Sequence, residues 1–266
     1  MPPVLAAVAI LCIAAGAGGS AALNMWYDAD IDAKMRRTKG RPLPAGRVRR
    51  ADALALGLVL SLFSILLMGM ALNWLAAGLL TFTILFYAVV YTIWLKRRTP
   101  QNIVIGGLAG ALPPVIGWTA ATGSAPLNAW LLCGIIFMWT PPHFWALSLY
   151  ASEDYARAGV PMLPVVAGAS IVRRQILAYS LLLVPLCIAP TLTGLGGGAY
   201  LATATLGGLV FLWLALRLNS RRPSGVSGRD RDARALFAFS ILYLTLLFAA
   251  LLFEHVAGWP SLALAR

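Results

Sequence analysis

The chain has 266 residues, of which 60% are hydrophobic and only 11% are charged, and its formal net charge is +12. A soluble globular domain is about 45–50% apolar and about 25% charged, so the composition excludes an ordinary soluble domain. Nucleic-acid binding is not indicated either, because that function needs a basic folded surface or a known binding module, and neither is present.

Eight apolar segments of about 20 residues follow one another along the chain. Each is long enough to cross a hydrocarbon core of about 30 Å as a helix, whereas barrel strands would be about 10 residues long with alternating polarity. The sequence therefore predicts an all-α, polytopic transmembrane helical bundle with eight spans, forming a single domain over residues 1–266. The spans lie near residues 4–23, 53–72, 75–95, 103–122, 128–149, 172–191, 199–218 and 236–257.

The first segment also resembles a signal peptide. No basic residue precedes its apolar run, and an acidic motif follows it directly. These flanks favour a transmembrane helix over a cleaved signal.

Positive charge is confined to alternate gaps between the spans. Twenty of the 21 Lys and Arg residues fall in the gap 24–52, the gap after the third span, the gap 150–174 and the gap 217–235. Only Arg266 lies elsewhere. The positive-inside rule places the basic gaps in the cytoplasm, and the proline- and glycine-containing gap 217–235 is typical of a solvated loop.

The first basic gap opens with the acidic run NMWYDADID at residues 24–32. On a helix continuing from the first span, Asn24, Asp28 and Asp32 would share one face at spacing i, i+4, i+8. Carboxylates in such a row repel one another unless a cation lies between them, and Mg²⁺ suits oxygen ligands that a phosphate completes. Glu153 and Asp154 form a second acidic set. The alternative is a solvated loop whose carboxylates offset basic neighbours.

Basic residues near these carboxylates would suit a polyanion such as diphosphate. With the amide of Asn24, the candidate diphosphate-binding residues are Arg37, Arg41, Lys96, Arg97 and Arg157, and Arg36 is also close in sequence.

His143 lies inside the fifth span, in the run WTPPHFW at residues 139–145. It would be about 10 Å from the inner end of the helix, and we expect Pro141 and Pro142 to break the hydrogen-bond ladder there. An ionisable residue at that depth is a functional candidate. The alternative is a neutral histidine bonded to a carbonyl that the prolines free.

The three cysteines lie in apolar spans without paired spacing, which predicts no disulfide or zinc site. Small residues after Asn102, including Gly106 and Gly107, indicate close helix packing, with close approach of a bulky ligand as the alternative.

These motifs together resemble a known family. The N-x-x-x-D-x-x-x-D row, with Arg37 and Arg41 after it, resembles the intramembrane prenyltransferases of the UbiA type. The finer pattern is similar to their heme-farnesylating branch, the heme O synthases. It rests on KRRTPQNIVIGG at 96–107, WTPPHFW at 139–145 and DYARAGVPMLPV at 154–165.

The resemblance implies a nine-helix bundle around a central cavity, so that the family's first helix would be missing here and the chain as written would be inactive. It implies that Asn24, Asp28 and Asp32 hold Mg²⁺ and diphosphate, with Glu153 and Asp154 as a second metal-binding set. The second set lacks the D-x-x-x-D spacing of the wider family.

The implied reaction transfers a farnesyl group from farnesyl diphosphate to a vinyl group of heme B, with addition of water, and gives heme O. Asp28, Asp32 and His143 are the expected catalytic residues, and His143 would touch heme. The expected partners are the lipid bilayer of the inner membrane and a heme A synthase, but no nucleic acid. Alternatives are a prenyltransferase for a quinone or chlorophyll precursor and, from a different class, a transporter with a cation site.

Overall fold

A computed structural model describes residues 1–220 and 230–262. Within these residues, eight helices are long and apolar enough to cross a membrane, which confirms the predicted all-α membrane class and the number of spans. The basic gap 217–235 is described only at its ends, and Arg266 lies outside the described residues.

The helices follow one another without an intervening β-strand in the described ranges. In chain order they are α1 Pro3–Tyr27, α2 Ala29–Lys34, α3 Arg50–Ala71, α4 Trp74–Leu85 with a π-helix Phe86–Leu95, α5 Asn102–Ala111, α6 Pro113–Thr122, α7 Leu127–Tyr150, α8 Ser152–Arg157, α9 Leu163–Ala167, α10 Ala169–Leu192, α11 Gly198–Ser220 and α12 Arg231–Val256.

The chain forms two compact units. The first contains residues 1–133 and 154–162, and the second contains residues 134–153 and 163–266. The single domain remains a prediction.

In the first unit, glycines bring α1 and α3 into direct contact. A Cβ added to Gly19 would lie 2.6 Å from Ser61 Oγ and 3.0 Å from the carbonyl oxygen of Gly57, so a larger residue would force the helices apart. Small residues at such crossings allow the backbones of membrane helices to approach closely. This contact fixes the position of α1, which carries the acidic row at its end.

The third span changes from α-helix to π-helix at Phe86, and the fourth is interrupted for one residue, Leu112, between α5 and α6. The ring of Tyr91 lies against α5, where a Cβ on Gly106 would come within 2.2 Å of Tyr91 Cδ2. Gly106 therefore serves helix packing, as its small size indicated. Both irregularities were absent from the sequence-based expectation.

In the second unit, a buried carboxylate joins α11 to α12. Glu254 of α12 accepts hydrogen bonds from the backbone N–H groups of Gly197 (2.6 Å) and Tyr200 (2.8 Å) at the start of α11. A carboxylate at a helix N-terminus pairs with unsatisfied N–H donors and with the positive end of the helix dipole. Tyr243 of α12 also donates to the carbonyl of Ala204 in α11, at 2.9 Å.

The fifth span is one helix, α7, which continues through Pro141 and Pro142, where the sequence predicts a broken hydrogen-bond ladder. Each proline lacks the N–H that would bond to the carbonyl four residues earlier, yet the helix does not end there. In a membrane helix, packing against neighbours sustains the backbone around such missing bonds.

Candidate active site

The acidic row begins on α1 but does not continue on a single uninterrupted helix. Helix α1 ends at Tyr27, Asp28 has φ −90° and ψ 12°, and α2 starts at Ala29. The backbone N–H of Asp32 still donates to the Asp28 carbonyl at 2.8 Å. The helix that carries the expected row is therefore interrupted at Asp28. The backbone dihedral angles of this residue lie in the sparsely populated bridge region, which active-site residues often adopt.

The carboxylate of Asp28 is fully buried and shared among three donors. Its Oδ2 accepts from Asn24 Nδ2 at 2.9 Å and from Lys96 Nζ. Its Oδ1 accepts from Arg97 Nη2 at 3.3 Å. A buried carboxylate without partners would be very costly, so these two cations explain how Asp28 can sit at 0% exposure.

Asp32 has a separate cationic partner. Its carboxylate accepts from Arg41 Nη1 at 2.8 Å, and only 2% of the residue is exposed. Thr38 Oγ1 donates to the backbone carbonyl of Asp32 at 2.9 Å, which ties the turn after α2 back onto that helix. The turn thereby brings Arg41 to the acidic row.

Arg97 connects the buried carboxylate to the surface. Its guanidinium binds Asp30 through two hydrogen bonds, of 2.7 and 3.0 Å, and lies 4.8 Å from the centre of the Tyr27 ring. The hydrogen bond from Arg97 lowers the pKa of Asp30, and the same bond raises the pKa of Arg97. Both groups are therefore charged at neutral pH.

The second acidic set is less closely connected to this network. In the first unit, Asp154 pairs with Arg157 three residues later, and no hydrogen bond or ion pair within the described part of that unit joins either residue to Asp28 or Asp32. Glu153 is exposed. Burial raises the pKa of Tyr155, and the Arg37 guanidinium beside its hydroxyl partly offsets that effect. The metal role of Glu153 and Asp154 stays a prediction.

An apolar cavity of about 210 Å³ lies in the first unit next to the acidic row. Helix α1 contributes Gly16 and Ser20 to its wall, and Asn24 and Asp28 continue the same spacing of four residues. One face of α1 thus leads from an apolar cavity to buried carboxylates and their cations. The lining residues are Ile13, Gly16, Ala17, Ser20, Ala21, Leu80, Thr83, Ile84, Tyr87, Ala109, Gly110, Pro113 and Ile116.

In the second unit, His143 is held by α12. Its Nδ1 lies 2.7 Å from Ser240 Oγ. The imidazole is stacked between the rings of Trp139, at 4.2 Å, and Phe237, at 4.5 Å. The bond to a serine hydroxyl replaces the carbonyl contact that was the alternative expectation for a buried histidine.

Several residues of these clusters were missed by sequence reasoning. Thr92, Thr38 and Tyr27 complete the surroundings of the acidic row, and Ser240 and Phe237 complete those of His143. The position of Tyr27 directly before Asp28 was a usable signal. The others are common residue types whose importance depends on distant partners.

The donor set suits a magnesium ion that is shared with a phosphate ligand. No three His, Cys, Asp or Glu side chains of residues 1–220 and 230–262 form a ready metal-binding group. Mg²⁺, however, is commonly held by one or two carboxylates, with waters and substrate phosphates in the other positions. Asp28 and Asp32, which are already paired with Lys96, Arg97 and Arg41, fit that kind of site.

Comparisons with known proteins show what the chain is similar to. A sequence profile described as the UbiA prenyltransferase family matches residues 1–231. A "Protoheme IX farnesyltransferase" of Caulobacter sp. (strain K31) is 65% identical, with 98% of this chain and 83% of the relative aligned. A protein of the same name from Parvibaculum lavamentivorans is 56% identical over 99% of this chain and 82% of its own.

Solved structures show the same fold at low sequence identity. A digeranylgeranylglyceryl phosphate synthase structure has a TM-score of 0.79 at 17% identity, covering 97% of this chain and 88% of its own. A UbiA homologue from Archaeoglobus fulgidus, bound to DMAPP and Mg²⁺, has a TM-score of 0.62 at 16% identity, covering 94% and 88%.

Proposed function

The chain belongs to the UbiA prenyltransferase family, and we propose that it transfers a farnesyl group from farnesyl diphosphate to a vinyl group of heme B. Water adds in the same reaction, and the product is heme O. The heme and farnesyl specificity is supported by relatives with the name "Protoheme IX farnesyltransferase" at 56–65% identity over nearly the whole chain.

One observation supports this reaction above all others. The buried face of α1 carries part of an apolar cavity wall, at Gly16 and Ser20, and then Asn24, whose amide donates to the buried carboxylate of Asp28 just beyond the end of the helix. An isoprenoid diphosphate has the same division, with an apolar chain and an anionic head. The substrate would therefore lie along α1 with its diphosphate toward Asp28.

Asn24, Asp28 and Asp32 would hold Mg²⁺ with the diphosphate. The metal would neutralise charge on the leaving group. Lys96 and Arg97 already lie at Asp28, and Arg41 lies at Asp32, so each cation would be within short reach of an arriving diphosphate. Donors placed before the reaction stabilise developing negative charge without reorganisation. Arg37 and Arg157 would act as further cations, and Glu153 and Asp154 as a second metal-binding set.

The bond changes follow from this arrangement. The C1–O bond of farnesyl diphosphate breaks, the electron pair leaves with the diphosphate, and an allylic cation remains. The terminal carbon of the vinyl group attacks C1, which moves the positive charge to the carbon next to the porphyrin. Water adds there and loses a proton, leaving a hydroxyl group. The low dielectric around the buried carboxylates strengthens the ionic interactions that drive ionisation.

His143 would contact heme in this scheme. The chain would lie in the inner membrane, and the distribution of Lys and Arg supports an orientation with the acidic row on the cytoplasmic side. A heme A synthase would be a natural partner, because it consumes the product.

Replacement of Asp28 tests the proposal. Protein in lipid nanodiscs would be supplied with farnesyl diphosphate, heme B and Mg²⁺, and extracted hemes would be measured by mass spectrometry. We expect Asp28→Asn to lower heme O formation at least 100-fold. The substitution removes the negative charge that pairs with two cations and would bind the metal ion.

Asp52→Asn is the matched control, since Asp52 pairs with Arg49 in an exposed contact. It should leave the rate unchanged, and both variants should insert into the membrane normally. Near-normal heme O formation by Asp28→Asn would contradict the proposed role. Wild-type protein that consumes farnesyl diphosphate but prenylates only a phenolic acceptor would instead indicate a different UbiA-type reaction.

A further inference from the structure

Ser240 of α12 holds the fifth span through both its backbone and its side chain. Its carbonyl oxygen accepts from Trp139 Nε1 at 2.8 Å, and its hydroxyl lies 2.7 Å from His143 Nδ1. Ser240 is completely buried, whereas His143 is only partly buried. The two contacts fix the position of the imidazole along α12.

The hydroxyl of Ser240 has only one hydrogen, and its geometry determines where that hydrogen goes. Ser240 Oγ lies 2.6 Å from the carbonyl oxygen of Phe237, which can only accept. When the hydroxyl donates to this carbonyl, its lone pair is free to accept from His143. Both short contacts are satisfied only if His143 Nδ1 carries the hydrogen. The neutral imidazole then has an unprotonated Nε2.

The surroundings of the ring leave its edge as the route to Nε2. Trp139 and Phe237 cover the two faces, with interplanar angles of 17° and 23°. Within the described part of the second unit, Nε2 has no hydrogen-bond partner. The Phe144 ring stands nearly perpendicular to the imidazole, at an angle of 89° and a centroid distance of 5.6 Å, so part of the ring edge is also in contact with protein. An in-plane lone pair on Nε2 without a protein partner is what a metal ligand requires.

We propose that Ser240 is a positioning residue that holds His143 as the Nδ1–H tautomer, so that Nε2 binds the iron of the heme substrate. This inference rests on the proposed function and adds the residue that orients the ligand. Metal-binding histidines commonly donate their second N–H to a protein oxygen, which fixes the ring and increases the basicity of the ligand atom. Ser240 and His143 have that relationship.

The tautomer can be measured without disturbing Ser240. The chain contains two histidines, His143 and His255. A His255→Gln variant labelled with ¹⁵N-histidine would give signals from His143 alone in solid-state NMR of heme-free protein in lipid. We expect the Nδ1-protonated form. An Nε2-protonated ring would overturn the proposal even if farnesyl transfer were intact.

Heme titration tests the consequence for the ligand. We expect wild type to bind heme B with a histidine-ligated spectrum, which His143→Phe abolishes. Ser240→Ala should weaken heme binding about 10–100-fold and shift the iron–histidine stretching band of ferrous heme in resonance Raman spectra. Ser240→Thr keeps the hydroxyl and should restore both properties.

Ser180→Ala is the matched control. Ser180 is also a fully buried helix serine of the second unit, and its hydroxyl donates to the carbonyl of Ile176 at 2.6 Å. We expect no change of the Raman band in this variant. An unchanged band in Ser240→Ala, or a histidine-ligated spectrum that persists in His143→Phe, would overturn the inference. Neither result would bear on the role of Asp28, so the two proposals can fail separately.

Discussion

The side-chain amide of Asn24 donates one hydrogen to Asp28 Oδ2, at 2.9 Å, and the other to Thr92 Oγ1, at 3.0 Å. All three side chains are buried. Because both N–H groups are used, the orientation of the amide is fixed and its oxygen is the atom left to meet a ligand. Thr92 in turn donates to the carbonyl of Tyr87, five residues earlier in the π-helix, at 2.8 Å. The unusual helix geometry therefore helps to orient a proposed ligand of the metal.

Replacing Thr92 with valine should disturb this orientation with little change in volume. The variant leaves one N–H of Asn24 without an acceptor in a buried position, at a cost of about 1–3 kcal/mol. We expect kcat/KM for farnesyl diphosphate to fall about tenfold, since 1.4 kcal/mol corresponds to a factor of ten. The measurement is the initial rate of heme O formation at varied farnesyl diphosphate.

Thr81→Val is the control for this prediction. Thr81 lies in the same span, and its hydroxyl donates to a carbonyl of its own helix, that of Ala77, at 2.8 Å. Its rate should remain close to that of wild type. Equal losses in the two variants would mean that any threonine in this span matters, and the specific role of Thr92 would be rejected.

The membrane spans were predictable because hydropathy and helix length are local properties. The predicted first span, 4–23, corresponds to Pro3–Tyr27, and the last, 236–257, corresponds to Arg231–Val256. The spacing of Asn24, Asp28 and Asp32 also indicated a shared site, and the nearby Arg41, Lys96 and Arg97 were identified as its cations. Their individual pairings required the structure.

Contacts between residues far apart in sequence could not be predicted. Ser240 is separated from His143 by 97 positions, and Thr92 from Asn24 by 68. Serine and threonine are common in membrane helices, where most bond to their own backbone, so neither residue stands out in the sequence. The π-helix also packs Tyr91 over Gly106, a contact between two spans that local sequence does not reveal.

The ion pair between Asp30 and Arg97 should stabilise the protein only where Asp30 is ionised. Arg97 lowers the pKa of Asp30 below its ordinary value of 3.8. A carboxyl whose pKa is lower in the folded state contributes its full stability above its unfolded pKa, and loses it as the pH falls through the folded pKa. Wild type should therefore have a higher Tm than Asp30→Asn at pH 7, and the difference should shrink as the pH falls below 3.8.

The size of this effect should be modest, below about 1 kcal/mol, because the Asp30 side chain is 56% exposed and solvent screens the pair. Differential scanning calorimetry in nanodiscs at several pH values would measure it. A difference in Tm that grows as the pH falls would have the wrong sign for a carboxylate whose pKa is lowered.

The apolar cavity predicts which substitution should shorten the accepted isoprenoid. Ala17 lines the cavity and lies 11 residues before Asp28, which is about 16 Å along a helix. Leucine at this position would fill the part of the cavity in which the far end of a farnesyl chain would lie. Geranyl diphosphate is one isoprene unit shorter and would still fit. We expect Ala17→Leu to raise KM for farnesyl diphosphate about tenfold, the effect of a small steric change in an apolar pocket, and to change KM for geranyl diphosphate much less.

Ala14→Leu is the control, because it places the same side chain on an exposed part of α1 outside the cavity, and it should alter neither KM value. If Ala17→Leu affected both substrates equally, the chain would not extend from Asp28 toward Ala17, and the assignment of this cavity to the isoprenoid would be wrong.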